Sequence, residues 1–412
     1  MVPEGWKLCS LGDIVSFRRG ITYTADQLTD SEVNGRPYYN MKSFLKAGGL
    51  NAVGTKYFSG SFKSEDLIEA NDVIIANTDV TPTGDIIGCP AIIAPKHIGN
   101  GLCSHHVTRL RVSHSSITRD FLYWSLCSSA LRERMISIAR GTTVKMLDNA
   151  AVLVSEILVP TLDEQRRITA ILTSVDETIQ AAQAVMEQAR LARDAVLDGL
   201  LAGDRWPRAT FGNLVRVGSG FAFKANDFTD AATDIPVVRM SNLKTGRLDL
   251  SEAKRLPYGL LHGLDAFQLQ AGDFVFGMSG SLTNHAWVTA SDLPCYQNQR
   301  VGRLLPKNGT HPRFAAYLYL SDHVQQGITQ LAAGAAQLNI SASQIESIVV
   351  PCPPPEAQAR IASILTDLDD AITQDQRHLE SLRITKRGLL DDLLTGRVRV
   401  PATALSEASH AP

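Results

Sequence analysis

The sequence lacks the features that mark membrane, secreted and disulfide-bonded proteins. Its 412 residues contain no run of 18 apolar residues, so a transmembrane helix is not expected. The start, MVPEGWKLCS, lacks the basic and then apolar segments of a signal peptide. The six cysteines, at positions 9, 89, 103, 127, 295 and 352, form no CxxC pair, which argues against a disulfide framework or a zinc ribbon. We therefore expect a soluble, cytoplasmic protein with reduced thiols and no membrane partner.

An excess of one charge and the common catalytic motifs are also missing. The chain has 40 Lys and Arg against 42 Asp and Glu, so its net charge of −2 does not by itself indicate a nucleic-acid-binding protein. GxSxG, HExxH and an Asn-Pro-Pro-Tyr methyltransferase motif are absent. The segment 49–56 resembles a P-loop, but its lysine follows the threonine instead of preceding it. We infer a chain that is not an enzyme and holds no cofactor.

What the sequence does contain is one long internal repeat. The composition, with 44% hydrophobic and 20% charged residues, is that of a folded protein, and 412 residues exceed the usual size of one domain. Segments beginning at Trp6 and Trp206 match, as do those around Asp72 and Asp273. From the middle of each copy the offset settles at 193, apart from a short gap. A scaffold is therefore repeated while its loops vary.

Each copy ends in a heptad pattern that predicts a long helix of coiled-coil type. The apolar positions expected to pair the two helices are Ile168, Leu172, Val175, Ile179, Ile361, Leu365, Leu368 and Ile372. Each pattern stops at Leu-Leu-x-Gly, where glycine is a helix terminator. The repeat favours antiparallel pairing about an approximate two-fold axis, with Arg193 facing Asp375 or Lys386 to fix the register.

Upstream of each long helix, the sequence predicts an amphipathic helix, over 121–138 and 314–331, and several strands. The predicted strands are Val73–Ala76, Ile86–Ala94, Val107–Val112, Phe274–Phe276 and Val301–Leu305. The expected fold is α+β, with two β-rich globular heads joined by two long antiparallel coiled-coil helices. We place the heads at 1–159 and 204–352, the helices at 160–203 and 353–397, and a disordered tail at 398–412.

Two clusters have the composition of metal sites. Cys103, His105 and His106 with Cys89 could ligate zinc, but the second copy has no histidines at the corresponding place. Asp249, Glu252 and Lys254 resemble a nuclease cluster, which the first copy lacks. Because the repeat does not preserve either cluster, we interpret both as turn or surface residues and predict no metal site.

The polar loops of the heads have the side chains that DNA recognition requires, since Lys and Arg contact phosphates while Asn, Gln, Ser, Thr and Arg read base edges. These loops are 40–46, 77–84, 141–145, 239–247, 279–285, 297–300 and 334–339. The candidate DNA-binding residues are Lys42, Ser43, Asn77, Thr78, Thr142, Thr143, Lys145, Arg239, Lys244, Asn284, Arg300, Gln337 and Asn339.

The order of motifs resembles that of the specificity subunits of type I restriction–modification enzymes. Each copy opens with Trp-x4-Leu/Phe-Gly-Asp/Asn and continues with a glycine loop, a Val-Pro, a helix start and a Leu-Leu-x-Gly stop. Glu164-Gln165-Arg-Arg-Ile168 fits the helix start, whereas the second copy separates Glu356 from Gln358. The resemblance covers nearly the whole chain.

This resemblance implies that each head is a target-recognition domain that reads one half of a split sequence in double-stranded DNA, with the helices as a spacer. It also implies docking of two methyltransferase subunits, to which restriction subunits are added. S-adenosylmethionine, ATP and Mg²⁺ would belong to those partners. The alternative function is a coiled-coil adaptor whose heads bind proteins or small ligands.

Overall fold

The computed structural model describes residues 2–307, 309–332 and 339–401. The chain forms two compact units. Unit 1 is Met1–Gln183 with Arg377–Pro412, and unit 2 is Ala184–Gln376. Each unit therefore combines one head with parts of both long helices. In the described ranges, no helix is both long enough and apolar enough to cross a membrane.

The head of unit 1 is built from short strands and four short helices. The strands are β1 (Lys7–Ser10), β2 (Val15–Arg19), β3 (Leu28–Thr29), β4 (Arg36–Tyr39), β5 (Lys56–Phe58), β6 (Asp72–Ala76), β7 (Thr78–Asp79), β8 (Pro90–Ala91), β9 (Leu102–Cys103), β10 (Val107–Val112), β11 (Lys145–Met146) and β12 (Glu156–Val159). The helices are α1 (Leu11–Ile14), α2 (Arg119–Cys127), α3 (Ser129–Ile138) and α4 (Asn149–Leu153). The long helix α5 (Leu162–Leu201) follows.

The strands of this head form two four-stranded sheets and two ribbons. One sheet has the order β2-β10-β6-β8 and is antiparallel throughout. The other has the order β3-β5-β4-β9, in which β4 and β9 are parallel. The ribbons pair β1 with β12 and β7 with β11. Helices α2 and α3 share a core with the first sheet and with residues of the long helices.

Unit 2 repeats this plan. After α5, its elements are β13 (Arg208–Thr210), α6 (Phe211–Leu214), β14 (Val215–Ser219), β15 (Ile235–Val238), β16 (Leu243–Lys244), β17 (Arg247–Leu248), β18 (Arg255–Leu256), β19 (Phe274–Gly277), β20 (His285–Trp287), β21 (Tyr296–Gln297), β22 (Val301–Pro306), α7 (Pro312–Leu320), α8 (Asp322–Ala332), α9 (Ala342–Glu346), β23 (Val349–Pro351) and α10 (Pro355–Leu394). The sheet β14-β22-β19-β20 corresponds to β2-β10-β6-β8. The parallel pair β15-β21 corresponds to β4-β9. The predicted α+β fold with an internal repeat is confirmed.

A glycine at the end of the first sheet strand is required in both heads. A β-carbon at Gly20 would overlap the carbonyl oxygens of Cys103 and Ser104, and one at Gly220 would overlap those of Gln297 and Asn298. The chain passes so close to the neighbouring backbone that only glycine fits. This constraint explains why glycine is found at position 220, directly before Phe221.

Each predicted amphipathic helix is in fact two helices. The break falls at Ser128 in unit 1 and at Ser321 in unit 2, which are related by the offset of 193. Ser128 leaves the helical conformation, and its hydroxyl accepts a hydrogen bond from the amide of Leu131, so it caps α3. Serine competes for backbone hydrogen bonds and favours helix caps over helix interiors. The apolar spacing is unaffected by this break, so periodicity alone did not reveal it.

The strand predicted over Ile86–Ala94 is also wrong for most of its length, because only Pro90–Ala91 forms a strand. Residues before it make a turn, in which the amide of Ile86 donates to the carboxylate of Asp79. Ile87 and Cys89 are buried although they lie outside a strand. A short apolar run shows that a segment is buried and does not fix its conformation.

The two long helices are confirmed, each with 40 residues, as α5 and α10. In unit 1, Ile168 and Leu172 of α5 share one core with Leu390, Leu393 and Leu394 of α10. The start of one helix therefore packs beside the end of the other, as antiparallel pairing requires. Each fully buried leucine of this kind contributes about 1.5–3 kcal/mol.

Unit 2 has the complementary arrangement. Ile361 and Leu365 of α10 share its core with Leu197 and Leu201 of α5. Among the other predicted pairing positions, Ile179 is buried, whereas Val175, Leu368 and Ile372 are half-buried. The heptad pattern of α5 also includes Val196, but this side chain is exposed and the neighbouring Leu197 is buried instead. A straight helix drifts from a strict seven-residue repeat, so the buried stripe shifts by one residue.

The predicted partners of Arg193 are wrong. Its guanidinium Nε lies 3.0 Å from the carboxylate of Asp369, not beside Asp375 or Lys386. Lys386 instead pairs with Asp176, at 2.5 Å, in unit 1. Both acceptors lie outside the heptad positions that the sequence pattern singled out, so hydrophobic periodicity could not identify them.

A buried glutamine anchors the start of each long helix. The Gln165 amide donates to the carbonyls of Ser116 and Pro160 and accepts from the amide of Thr118. Gln358 donates to the carbonyl of Pro353 and accepts from the amide of His311. The helix start is thereby joined to the segment that leads into α2 or α7. Separation of Glu356 from Gln358 leaves this contact intact.

Part of the predicted disordered tail is ordered. Val400 is buried in the core of unit 1, and its carbonyl accepts a hydrogen bond from Arg167. Arg399 forms a bidentate pair with Glu164, which also accepts from the Trp6 indole. Burial would raise the pKa of Glu164, but the bonds from Arg399 and Trp6 outweigh it and lower that pKa. Residues 402–412 of the predicted tail lie outside the described residues.

We expect Gly20→Ala to destabilise the protein by about 1–3 kcal/mol, because the added methyl group must displace backbone carbonyls. Gly388→Ala is the matched control. Nothing lies within 4 Å of a β-carbon at this position in α10, so alanine should stabilise the helix by about 1 kcal/mol. Urea unfolding of the full chain measures both. Equal effects at the two positions would contradict the close approach at Gly20.

Candidate nucleic-acid interface

Loops from distant parts of the sequence meet at one end of the main sheet in unit 1. Strand β6 ends at Ala76 and continues into β7, which pairs with β11 so that Thr78 faces Met146 and Asp79 faces Lys145. The amide of Asn77 donates to the carbonyl of His106, which precedes β10. We call the segments 77–86, 104–106 and 140–146, with Arg19 at the end of β2, the unit 1 loop cluster.

Asp79 organises the longest loop of this cluster. Its carboxylate is buried and accepts hydrogen bonds from the amides of Thr81, at 2.8 Å, and Ile86, at 2.6 Å. Charge-assisted bonds to backbone amides are strong. They hold the two ends of the 79–86 turn together, so the residues between them, including the exposed Val80, lie at the surface in a fixed conformation.

The structure separates the candidate DNA-binding residues of this unit into two groups. Thr142, Thr143 and Lys42 are exposed, and Lys145 is partly exposed. Ser43, Asn77 and Thr78 are buried. The Ser43 hydroxyl donates to the carbonyl of Gly54, and that of Thr78 bonds to the His106 ring. These buried side chains stabilise loops in the structure. The sequence analysis had instead listed them as candidate DNA-binding residues.

Sequence reasoning did not place Arg19, His105 and His106 at this surface, and it considered the two histidines only as possible zinc ligands. The Arg19 guanidinium donates to the carbonyl of His105, at 2.6 Å, and thus lies against the loop cluster. Burial lowers the pKa of His105 and His106, and the Arg19 charge lowers both further. Both shifts favour the neutral imidazole. The available signal was Arg18-Arg19-Gly20, two arginines followed by a glycine, in a segment for which no strand was predicted.

Unit 2 forms an equivalent set of loops, which we call the unit 2 loop cluster: segments 278–285 and 297–300 with Asn339. Ser279 bridges to Asn339, and the amide of Met278 donates to the carbonyl of Arg300. The amide of Gly277 donates to the carbonyl of Asn284. Arg300 and Asn339 are exposed, and Asn284 is partly exposed. Gln337, another candidate, lies outside the described residues.

Of the remaining two candidates of unit 2, Lys244 lies on the neighbouring hairpin of β16 and β17, and Arg239 directly follows β15. Arg239 and Lys244 are both exposed, and the amide of Gly246 in this hairpin donates to the carbonyl of His285. The hairpin therefore lies against β20, next to the unit 2 loop cluster. In the described parts of the chain, Lys42, Lys145, Arg239, Lys244 and Arg300 form no salt bridge. Their charges are available to phosphate groups.

The clusters that could have been metal sites have other roles. Cys89 and Cys103 belong to a small apolar core, while His106 is bonded to Thr78. The Asp249 carboxylate accepts from the amide and hydroxyl of Ser251 and so shapes a turn. Among the described residues, no group of three His, Cys, Asp or Glu side chains could hold a metal ion.

Comparison with known proteins assigns this architecture to a family. The profile of the type I restriction modification DNA specificity domain matches residues 3–189 and again 204–381. The MjaVIII type I restriction enzyme specificity subunit of Methanocaldococcus jannaschii is 23% identical and aligns over 97% of this chain and 94% of its own length.

Two solved structures show the same fold. The S subunit of a type I restriction–modification system from M. genitalium is 17% identical and covers 95% of this chain and 96% of its own, with a TM-score of 0.54. A chain from a structure of type I restriction–modification complex assembly is 16% identical, covers 97% and 100%, and has a TM-score of 0.60.

The chain therefore belongs to the family of type I restriction–modification DNA specificity proteins, with two copies of the specificity domain. The domain that defines this family is the DNA specificity domain of type I restriction–modification systems. This assignment favours DNA recognition over the alternative of a coiled-coil adaptor.

We expect Asp79→Ala to loosen the 79–86 loop without unfolding unit 1, because two partly buried amides lose their acceptor at a cost of about 1–3 kcal/mol. Hydrogen exchange of these amides should accelerate about 10- to 100-fold, as measured by mass spectrometry. Asp85→Ala is the control, since its carboxylate bonds to the side chains of Lys46 and Thr83 in the same loop. Equal acceleration in both variants would contradict the role given to Asp79.

Proposed function

We propose that the two loop clusters each read one half of a split DNA target and that the long helices set the distance between the halves. The observation that carries this proposal is that the same set of strands forms a loop cluster in both units. Each cluster has a cation at the surface, Lys145 or Arg300, that forms no salt bridge with any residue the structure describes. Lysine and arginine on loops held by a rigid sheet are suited to contact phosphates and base edges.

Differences between the clusters account for two different half-targets. At equivalent strand ends, Arg19 in unit 1 is replaced by Ser219 in unit 2, and His106 is replaced by Arg300. Arginine reads guanine by a bidentate contact, whereas serine can donate to or accept from several bases. The two units share the same strands but differ in the side chains at the ends of those strands. Each unit therefore reads a different DNA sequence.

The long helices have the dimensions of a spacer. A helix of 40 residues spans about 60 Å at 1.5 Å per residue, and sites one turn apart on DNA are separated by about 34–36 Å. Any change in the length of the paired helices would therefore change the separation of the half-targets.

The expected protein partners are the subunits that would carry out methylation and cleavage in a type I restriction–modification system. Methyltransferase subunits would dock on this chain and bring S-adenosylmethionine, and restriction subunits would bring ATP and Mg²⁺ chemistry. The net charge of −2 supports this view, because tight DNA binding depends on phosphate neutralisation. Much of the basic surface would come from the partners.

The first test separates the two half-targets. In the complex with its methyltransferase, Arg300→Ala should weaken binding of the full target about 10- to 100-fold, the cost of one bidentate base contact. The loss should disappear when only the half read by unit 2 is randomised. Lys145→Ala should reduce the salt dependence of affinity by about one phosphate contact.

Lys96→Ala is the control, because Lys96 is exposed but lies outside both loop clusters. Fluorescence anisotropy with duplexes in which either half is randomised measures all three variants. If Arg300→Ala weakened binding to both half-randomised duplexes equally, independent reading by the two units would be ruled out.

A second test changes the spacer. Insertion of one heptad into each long helix, after Gln183 and after Gln376, lengthens the pair by about 10 Å. At about 3.4 Å per base pair, the preferred gap should grow by about three base pairs. Sequencing of methylated sites in cells gives the new gap, while altered half-target sequences would contradict the proposal.

A further inference from the structure

A four-residue cluster ties the two long helices to the head in unit 1. Lys386 of α10 pairs with Asp176 of α5, at 2.5 Å, and its ammonium lies 5.1 Å from the centre of the Trp124 ring of α2. The Trp124 indole donates to the hydroxyl of Thr173, at 3.3 Å. Three elements thus meet at one cation. We call these four residues the unit 1 clamp.

Unit 2 contains the same cluster, displaced by 193 positions at every member. Arg193 of α5 pairs with Asp369 of α10 and lies 5.3 Å from the centre of the Tyr317 ring of α7. The Tyr317 hydroxyl lies 3.3 Å from that of Thr366 and donates to Asp369, at 2.8 Å. We call this the unit 2 clamp. Unit 1 uses a lysine and a tryptophan where unit 2 uses an arginine and a tyrosine. In both units the cation pairs with an aspartate and lies over the aromatic ring.

The cations occupy positions that an apolar side chain would fill in an ordinary coiled coil. The side chains of Lys386 and Arg193 are only 15% and 12% exposed. Leucine and isoleucine pack acceptably in more than one heptad register, so apolar positions alone specify the alignment weakly. A buried polar pair has one partner and fixes it. A slip of one heptad moves the partners apart by about 10 Å, beyond any ion pair.

The aromatic ring of each clamp, Trp124 or Tyr317, connects the head to the paired helices. Cations are attracted to the faces of Trp and Tyr rings, and here the ring belongs to the head. The same charge that aligns α5 with α10 therefore also holds α2 or α7 against them. The position of each loop cluster is coupled to the register of the helices in its own unit.

We propose that the two clamps are positioning elements that set the register of the long helices and attach each head to that register. The consequence for DNA, a fixed gap between half-targets, rests on the proposed function. The register itself does not, so the two can be tested separately.

The first measurement is the register. A photo-cross-linking benzoylphenylalanine at Gln183 should react with α10 near Arg383, since both residues line one cleft of about 890 Å³ in unit 1. Mass spectrometry identifies the cross-linked residue in the full chain. Asp176→Lys should shift the cross-link by about seven residues or spread it over two registers. The swapped variant Asp176→Lys/Lys386→Asp should restore the original position.

Two further variants keep the test decisive. Lys386→Met retains the aliphatic chain and removes the charge, so it should spread the cross-link over two registers. It replaces Asp176→Lys in the test if that variant does not fold. Arg166→Glu is the control, because Arg166 forms an exposed pair within α5, with Asp163, away from the cleft, and should leave the cross-link unchanged. An unshifted cross-link in both Asp176→Lys and Lys386→Met would overturn the proposal.

The second measurement is gap discrimination by the complex with the methyltransferase. Wild type should methylate targets with the native gap at least tenfold faster than targets with one base pair more or fewer. Asp176→Lys should lose most of this preference, and the swapped variant should regain it. A helix pair that is only less stable would lower all rates alike. A shifted cross-link with unchanged gap preference would support the register role and contradict the spacer function.

Discussion

The structure depends on how each long helix covers its apolar side. Neither helix is buried along its whole length by the other. Instead, the start of one and the end of the other complete the core of a head, so that Ile168 and Leu172 pack with Leu393 and Leu394 in unit 1. Ile361 and Leu365 pack with Leu197 and Leu201 in unit 2. A head and its helix segments therefore form one cooperative unit, and a rearrangement of the helices necessarily disturbs a recognition surface.

Periodic features of this fold could be predicted from the sequence. The long helices followed from the heptads, and the repeat followed from matched motifs, because both are set by many residues that act alike. Features that depend on a single side chain were not predictable in this way. Ser128 and Ser321 divide helices whose apolar spacing is uninterrupted, and Asp79 holds the amide of Ile86 in a turn where the apolar run predicted a strand.

The loop clusters show the same limit. Residue type indicated that polar loops would include Lys145 and Arg300, which are at the surface. It could not separate them from Asn77 and Thr78, which are buried. Nor could it identify Arg19, which reaches the cluster from the end of a strand. Burial depends on contacts between segments far apart in sequence, such as β7 with β11, and those contacts are set by the tertiary fold.

The contact between residues 396–400 and the beginning of the chain has a topological meaning. In unit 2, the end of α5 passes through Gly203 directly into Trp206 and the first strand of the head. In unit 1, the end of α10 and the first strand are separate segments, joined by the Arg399 bonds to Glu164 and to the carbonyl of Glu4. The covalent connection found in unit 2 is thus replaced in unit 1 by an ion pair and hydrogen bonds from Arg399. The head of unit 1 is therefore closed by contacts between the two ends of the chain, at the place where the head of unit 2 is covalently continuous.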